Sequence, residues 1–313
     1  MKRIAAFLLV LSVLVLSVLL SFSAPALADA AQSLNNEIRS TINDPDRTAA
    51  SGDVLDQGTL AGGVTWTFDS DGTLTISGQG DMGDFDWNYE EQNVRQPWAD
   101  HRDDITRAVI GEGVTRIGDN AFRRCTSLRT IVIPGTVTEI GWCPFISCGA
   151  LEAFEVSPEN PAFADRDGVL FDKSMTNLLT YPANRPGDVY RVPDGVESIG
   201  DFEYSRLRFI TMPGSVTEIT GSAFSGCDNL ETLILPEKLT ELSSYLFWGC
   251  DSLQSIVIPK SVTAIQTSVL FLCDNIKDVY YEGTEEEWNA INIDSDNDEL
   301  LGATIHFADS PGA

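Results

Sequence analysis

The chain repeats itself with a fixed period. "IVIPGTVTEI" begins at Ile131 and "IVIPKSVTAI" at Ile256, a separation of five 23-residue steps and one insertion of ten. Stepping by 23 brings five apolar columns into phase. They are Val114, Val137, Val216, Leu239 and Val262; Phe122, Phe145, Phe224, Phe247 and Leu270; Cys125, Cys148, Cys227, Cys250 and Cys273; Leu128, Leu151, Leu230, Leu253 and Ile276; and Pro134, Pro213, Pro236 and Pro259, with Gly111 in the first copy. A unit this short cannot bury its own apolar face, so the units must stack, each covering the next.

Each column predicts a local conformation. In "LETLILP" the residues Leu230, Leu233 and Leu235 end in alternation, which predicts a short strand with one buried face. Proline ends that strand, because it cannot donate to a ladder. "VTEI" alternates again, with Val216 and Ile219 inward and Thr217 outward. "AFSGC" sets Phe224 and Cys227 three apart, on one side of a single helical turn. Rungs would follow at about 4.8 Å where strands pair. Phenylalanines burying on the order of 150–250 Å² each would dominate the core.

Two copies are irregular. The unit from Phe154 to Asp188 is swollen, and its "GVLF" and "NLLTYP" predict a protruding hairpin around "DKSMT". The next copy keeps Val192, Pro193, Val196 and Ile199 but reads as lacking the Phe and Cys columns, which predicts a thin rung.

At the N-terminus, "WTFDSDGTLTISG" predicts a hairpin turning at Asp71-Gly72 and packed with Trp98 over the first rung. At the C-terminus, Thr284 and Glu287 form a capping box, with Trp288 and Ile291 closing the core. Ahead of all this, "MKR", an apolar run over Ile4 to Leu20 and Ala26-Leu27-Ala28 read as a secretory signal peptide. An uncleaved anchor is the alternative. Residues 29–50 are polar and aperiodic, which predicts a flexible leader.

The formal net charge is −27, and loss of Lys2 and Arg3 with the leader deepens it by two. Such a field repels nucleic acid and anionic membranes. The six cysteines would suggest disulfides in a secreted chain. Their column favours free buried thiols under each turn. Cys143 is off-column, a free surface thiol or half of a short-loop disulfide.

Chemistry is sparse. His101 and His306 lie one at each end, neither near a Cys in sequence, and no hydrolase, phosphate-loop, paired-CxxC or zinc-protease motif occurs. The chain reads as no enzyme, with no cofactor. Asp294, Asp296 and Asp298 have calcium-loop spacing, but Glu299 stands where Gly is required and Ile305 where Glu is. Like Asp81, Asp84 and Asp86, they read as solvated acidic loops, and no metal site is assigned.

What remains is surface. The outward strand position runs Val109, Val132, Glu155, Arg191, Thr211, Ile234, Val257, where β-propensity is an alternative explanation. The position after Phe runs Arg123, Ile146, Ser225, and then Trp248 and Phe271 together. Two large aromatics on adjacent rungs predict an interface hot spot, unless "SVLFLC" slips to bury Phe271 in place of Leu270. Beside a threonine column, Thr115, Thr138, Thr217, Thr240 and Thr263, run the carboxylates Glu139, Glu218 and Glu241.

The pattern "IVIPxxVTxIGxxxFxxCxxL", the "DGVLFDK…LLTYP" variant and the "YYEGTEEEWNAI" ending resemble the BspA-like leucine-rich repeat family over roughly residues 62–308. "WTFDSDGTLTISGQGDM" followed by "PW" is similar to the segment that often precedes such arrays. Where ordinary leucine-rich repeats want Asn or Cys, this chain has Thr136, Ser215, Lys238 and Ser261, so horseshoe curvature is not expected. The resemblance implies a leucine-rich-repeat-type solenoid, β-rich with short helical turns and about seven rungs. Its array would span 108–278, between an N-terminal β-hairpin cap over 51–107 and a C-terminal short-helix cap over 279–313. It also implies a secreted or surface-displayed bacterial protein that binds host matrix or neighbouring-cell proteins. The binding residues expected are Trp248, Phe271, Val132, Ile234, Val257, Glu218 and Glu241. The alternatives are a carbohydrate-binding module built on Trp66, Trp87 and Trp98, and a structural spacer.

Overall fold

A computed structural model describes residues 52–88 and 93–308. The signal peptide, the leader and Tyr89 lie outside the described residues, as does the side chain of Trp87.

The chain winds as a β-solenoid of about nine turns, not about seven. One strand of each turn lies in a front sheet. From Thr73–Ser77, strands Arg107–Ile110, Thr130–Ile133 and Ala153–Val156 follow in parallel, and from Arg107 onward each residue lies beside its equivalent 23 positions on. A second front sheet runs from Val189–Arg191 through Phe209–Thr211, Thr232–Ile234, Ser255–Ile258 and Asp278–Tyr281 to Thr304–Phe307. The "VTEI" segments make shorter parallel strands on a second side, such as Val114–Ile117 beside Glu139–Ile140.

The third side holds turns in place of the expected helical turns. Cys227 N bonds Phe224 O at 3.2 Å and Leu230 N bonds Cys227 O at 3.0 Å, so the columns are spaced by single three-residue turns. Left-handed residues at Ser222 (φ 62°) and Gly226 (φ 65°) stop these from propagating as a helix. Their backbone bonds run between rungs instead. Ser222, Phe224 and Gly226 donate to Ser244, Leu246 and Trp248 of the next rung at 3.1, 3.0 and 2.8 Å.

The aromatic column is continuous within each half of the stack. Trp98, Phe122 and Phe145 follow at 6.2 and 6.1 Å, and Tyr181, Phe202, Phe224 and Phe247 at 4.9, 5.4 and 5.5 Å. Phe202 overturns the thin rung. The shortened copy keeps a Phe column at Phe202 and puts Ser205 in the Cys place, with Ser205 N bonded to Phe202 O at 2.9 Å. Relative to a regular copy, two residues are missing between Ile199 and Phe202 and one between Ser205 and Leu207, so the columns shifted phase without disappearing.

The hairpin is another correction. Val169–Asp172 and Asn177–Thr180 do pair antiparallel, with Phe163–Arg166 as a third strand, but they do not protrude. Asn177–Thr180 runs parallel to Ser198–Asp201 as a rung of the second side. Leu170, Phe171, Leu178 and Tyr181 are all buried, and apolar area of that size cannot be left in solvent. Buried Asn160 ties the insertion down, donating to Pro134 O at 2.7 Å and Val137 O at 2.8 Å.

Both ends are closed as expected. Strand Thr65–Asp69 pairs with Thr73–Ser77 around Gly72 (φ 77°), and buried Trp66 meets buried Trp98 edge-on at 5.9 Å. Strand Val54–Thr59 adds outside them. At the far end, the capping box of helix Glu285–Asn289 forms, and Trp288 packs edge-on against Tyr281 at 5.3 Å.

The acidic loop at Asp81 and Asp84 is not simply solvated. Arg116 gathers Asp84 at 2.6 Å, Asp119 at 2.8 Å, Glu139 at 2.8 Å and Asp81 at 3.6 Å. Its guanidinium supplies the positive charge that those carboxylates need when drawn together. Hydrogen bonds from the Asp119 N–H and from Arg116 hold the Asp84 carboxyl below its usual range.

Candidate functional site

The turn side carries the residues that sequence reasoning singled out. Gly249 N bonds Phe271 O at 2.9 Å, which sets Trp248 and Phe271 on successive rungs at one column position. The register does not slip, since Leu270 is fully buried while Phe271 is 39% and Trp248 47% exposed. Tyr245 and Leu272, which the column reading missed, join them. Tyr245 is exposed with its ring 6.3 Å from that of Trp248, and exposed Leu272 follows Phe271 directly. Both occupy left-handed positions, at φ 58° and 61°, in columns that elsewhere hold Ser222, Ser268, Gly226 and Gly249. Those columns also hold Asn120 and Cys143, and Arg124 and Tyr204, so side-chain size along the column did not single out Tyr245 and Leu272.

Leu272 pays for its place, because an L-residue in the left-handed region costs about 1–2 kcal/mol relative to the right-handed one. Its N–H is held by Glu299 Oε1 at 3.1 Å. At Gly249 a Cβ would meet nothing within 4 Å beyond its chain neighbours, so the space over this glycine is open. Gly226 differs, because the Tyr204 ring lies over it and a Cβ there would come within 2.4 Å of that ring.

The other expected residues divide. On the front sheet, Ile234 pairs in register with Val257, and Val109 with Val132. Ile234 is exposed and Val132 half-buried, but Val257 is 2% exposed and cannot serve as a contact. It sits between Ile234 and the larger Tyr280, whose ring stacks on His306 at 4.6 Å. Glu218 and Glu241 are both exposed, yet the Glu241 carboxylate takes the Gln266 amide and Glu139 is tied to Arg116. The carboxylates on that side are therefore not a free row.

Each histidine meets a carboxylate. His101 Nε2 lies 2.9 Å from Asp56 Oδ2 and stacks on Phe68 at 4.5 Å; His306 Nε2 lies 2.7 Å from Asp278 Oδ1. Both pairs pin a terminal strand, and among the described residues neither ring is hydrogen-bonded to a thiol or hydroxyl. The Asp56 carboxyl is held below its usual range by the His101 hydrogen bond. No three His, Cys, Asp or Glu among the described residues are grouped to hold a metal ion.

All six cysteines are free, five of them buried. Burial pushes the Cys125 and Cys227 thiols up to about 12, and half-buried Cys143 likewise. Trp66 and Trp98, two of the three rings considered for a sugar site, are core residues.

No described helix is long and apolar enough to cross a membrane. Solved structures similar to this chain include leucine-rich repeat proteins of bacteria. The pneumococcal vaccine antigen PcpA is 15% identical over 83% of this chain and 89% of its own, with a TM-score of 0.53. A leucine-rich cell surface protein of Faecalibacterium prausnitzii is 20% identical over 77% of this chain and 98% of its own, at TM-score 0.43. A leucine-rich repeat protein of Eubacterium ventriosum is 21% identical over 72% and 84%, at 0.38. Among curated proteins none matches. The model of the BspA type leucine rich repeat region matches six copies, over residues 100–166 and 190–292. That is more than half of the chain, which accordingly belongs to the BspA-type leucine-rich repeat family.

Proposed function

We propose that this protein is a secreted or surface-associated, adhesin-like module that binds another extracellular protein and has no catalytic activity of its own. One observation carries the reading. Four large apolar side chains, Tyr245, Trp248, Phe271 and Leu272, are exposed together on adjacent rungs of a rigid backbone. Aromatic clusters of this kind concentrate binding energy in protein interfaces. A solenoid presents them without ordering a loop on binding, so the entropic cost of association is small. A spacer would want a polar surface at this place.

The test is surface binding of the secreted form to a panel of host matrix proteins and cell-wall glycans, beside the double variant Trp248→Ala/Phe271→Ala. Binding to one protein that the variant loses supports the reading. Glycan binding that the variant keeps would move the site elsewhere, and silence across the panel would leave the spacer.

A further inference from the structure

The aromatic cluster has an edge of its own. Two residues beyond the left-handed positions Gly226, Gly249 and Leu272 stand Asp228, Asp251 and Asp274, one per rung and all exposed, while Arg206 holds the equivalent place beyond Tyr204. Parallel rungs are about 4.8 Å apart, so this is a row of like charges at close spacing. Among the described residues none of the three is in an ion pair, whereas Arg116, Arg129 and Arg208 elsewhere each bind carboxylates across rungs. Burial, and after it the Asp251 charge, raise the pKa of Asp228. Gly249, where a Cβ would meet nothing within 4 Å beyond its chain neighbours, stands in the chain between Trp248 and Asp251.

We infer, resting on the protein-binding reading above, that this face takes a partner segment bearing arginine or lysine between apolar residues. A cationic side chain laid over Gly249 would meet the face of an aromatic ring along its stem and a carboxylate at its tip. Such chains bury their methylenes on apolar surface while the charged head stays paired. Trp is the strongest ring partner for a cation. Charge-assisted bonds to the carboxylates then give orientation, and the row as a whole accelerates encounter with a basic partner. The apolar rings anchor the partner, and the aspartates decide which sign of partner is accepted.

The test is isothermal titration of the secreted protein with a synthetic peptide alternating four arginines with leucines. Its citrulline counterpart, equal in shape and uncharged, and a neutral oligosaccharide, chitohexaose, serve as comparisons. The variants are Asp228→Asn/Asp251→Asn/Asp274→Asn, Trp248→Ala/Phe271→Ala, and Glu159→Gln/Glu197→Gln/Glu237→Gln as a control of equal charge on other faces. Thermal melts verify that each remains folded. The arginine peptide should bind, the Asn variant should weaken it about tenfold or more, and the Gln control should change it less than about threefold. The citrulline peptide should fail. Equal losses in the Asn variant and the Gln control would overturn the inference, as would equal binding of the citrulline peptide. Chitohexaose binding in place of the arginine peptide would overturn it too. If the aromatic variant abolishes protein binding while the Asn variant leaves it intact, the interaction site stands and its charge preference falls.

Discussion

Cys250 Sγ lies 3.0 Å from the carbonyl oxygen of Phe224, one rung back. The same contact recurs from Cys148 to Phe122 at 3.0 Å, Cys227 to Phe202 at 3.2 Å and Cys273 to Phe247 at 2.9 Å. The Phe carbonyl also accepts the Cys N–H of its own turn, so the thiol supplies a second donor where water cannot reach. This gives the Cys column a role beyond filling space. The rung-to-rung bond needs a small side chain that can donate.

Cys250→Ala should therefore cost about 1–2 kcal/mol, from the lost donor and a small void, with Cys250→Ser recovering part of it by donating to the same carbonyl. Urea unfolding of the two variants measures this. The Cys273 contact and burial push the Cys250 thiol up, so the native column should also resist alkylation that the unfolded chain accepts. Equal stability of the Ala and Ser variants would remove the hydrogen bond from the account.

Leu272 holds a position that Gly226 and Gly249 occupy on neighbouring rungs. Leu272→Gly relieves the left-handed strain and should stabilise the fold by about 1 kcal/mol, while weakening partner binding through loss of exposed apolar area. A thermal melt and the binding panel, run on the same variant, show whether stability and binding move in opposite directions. A destabilised variant would mean that Leu272 is there for packing.

The two halves of the core meet where Cys143, Asp201 and Glu203 come together with Arg123. Burial pushes Asp201 up to about 6, and burial with the Asp201 charge pushes Glu203 up to about 8. Glu203 Oε2 is buried with no hydrogen-bond partner among the described residues. Between about pH 4 and pH 8 the folded chain holds protons that the unfolded chain has released, so stability falls as pH rises through that window. The melting temperature should be higher at pH 5 than at pH 8.5, and Glu203→Gln should flatten the difference. A slope unchanged in that variant would assign the pH effect to the general negative charge.

Arg116 pairs with all four of Asp81, Asp84, Asp119 and Glu139. Arg116→Ala leaves four carboxylates repelling one another around the join between the N-terminal hairpin and the first rungs. The cluster is partly in solvent, so the expected cost is about 1–2 kcal/mol and grows at low salt. Urea unfolding at two salt concentrations checks both the size and the salt dependence.

The 23-residue period determined a great deal without any structure. It sets which residues stack, so Phe122 above Phe145, Ile234 beside Val257 and Trp248 next to Phe271 were all legible, as were both caps from their turn and capping signals. These follow because a parallel stack has one register, and a column in phase names it. What the period could not decide is how much water reaches a given column. Val257 reads as outward and is buried, because its exposure depends on the bulk of Ile234 and Tyr280 beside it. Nor could it decide what happens where the phase breaks. Phe202 and Ser205 stay in their columns although that copy is three residues short, and the swollen copy enters the stack as a rung, because burial of Phe171 and Leu178 outweighs the spacing. Asp81 and Asp84 lie 35 and 32 residues before Arg116, out of phase with the repeat, and Asp201 and Glu203 are likewise out of phase with Arg123 and Cys143. Only the wound backbone brings such charges within reach of one another, and Coulomb energy depends on distance in space, not on position in sequence.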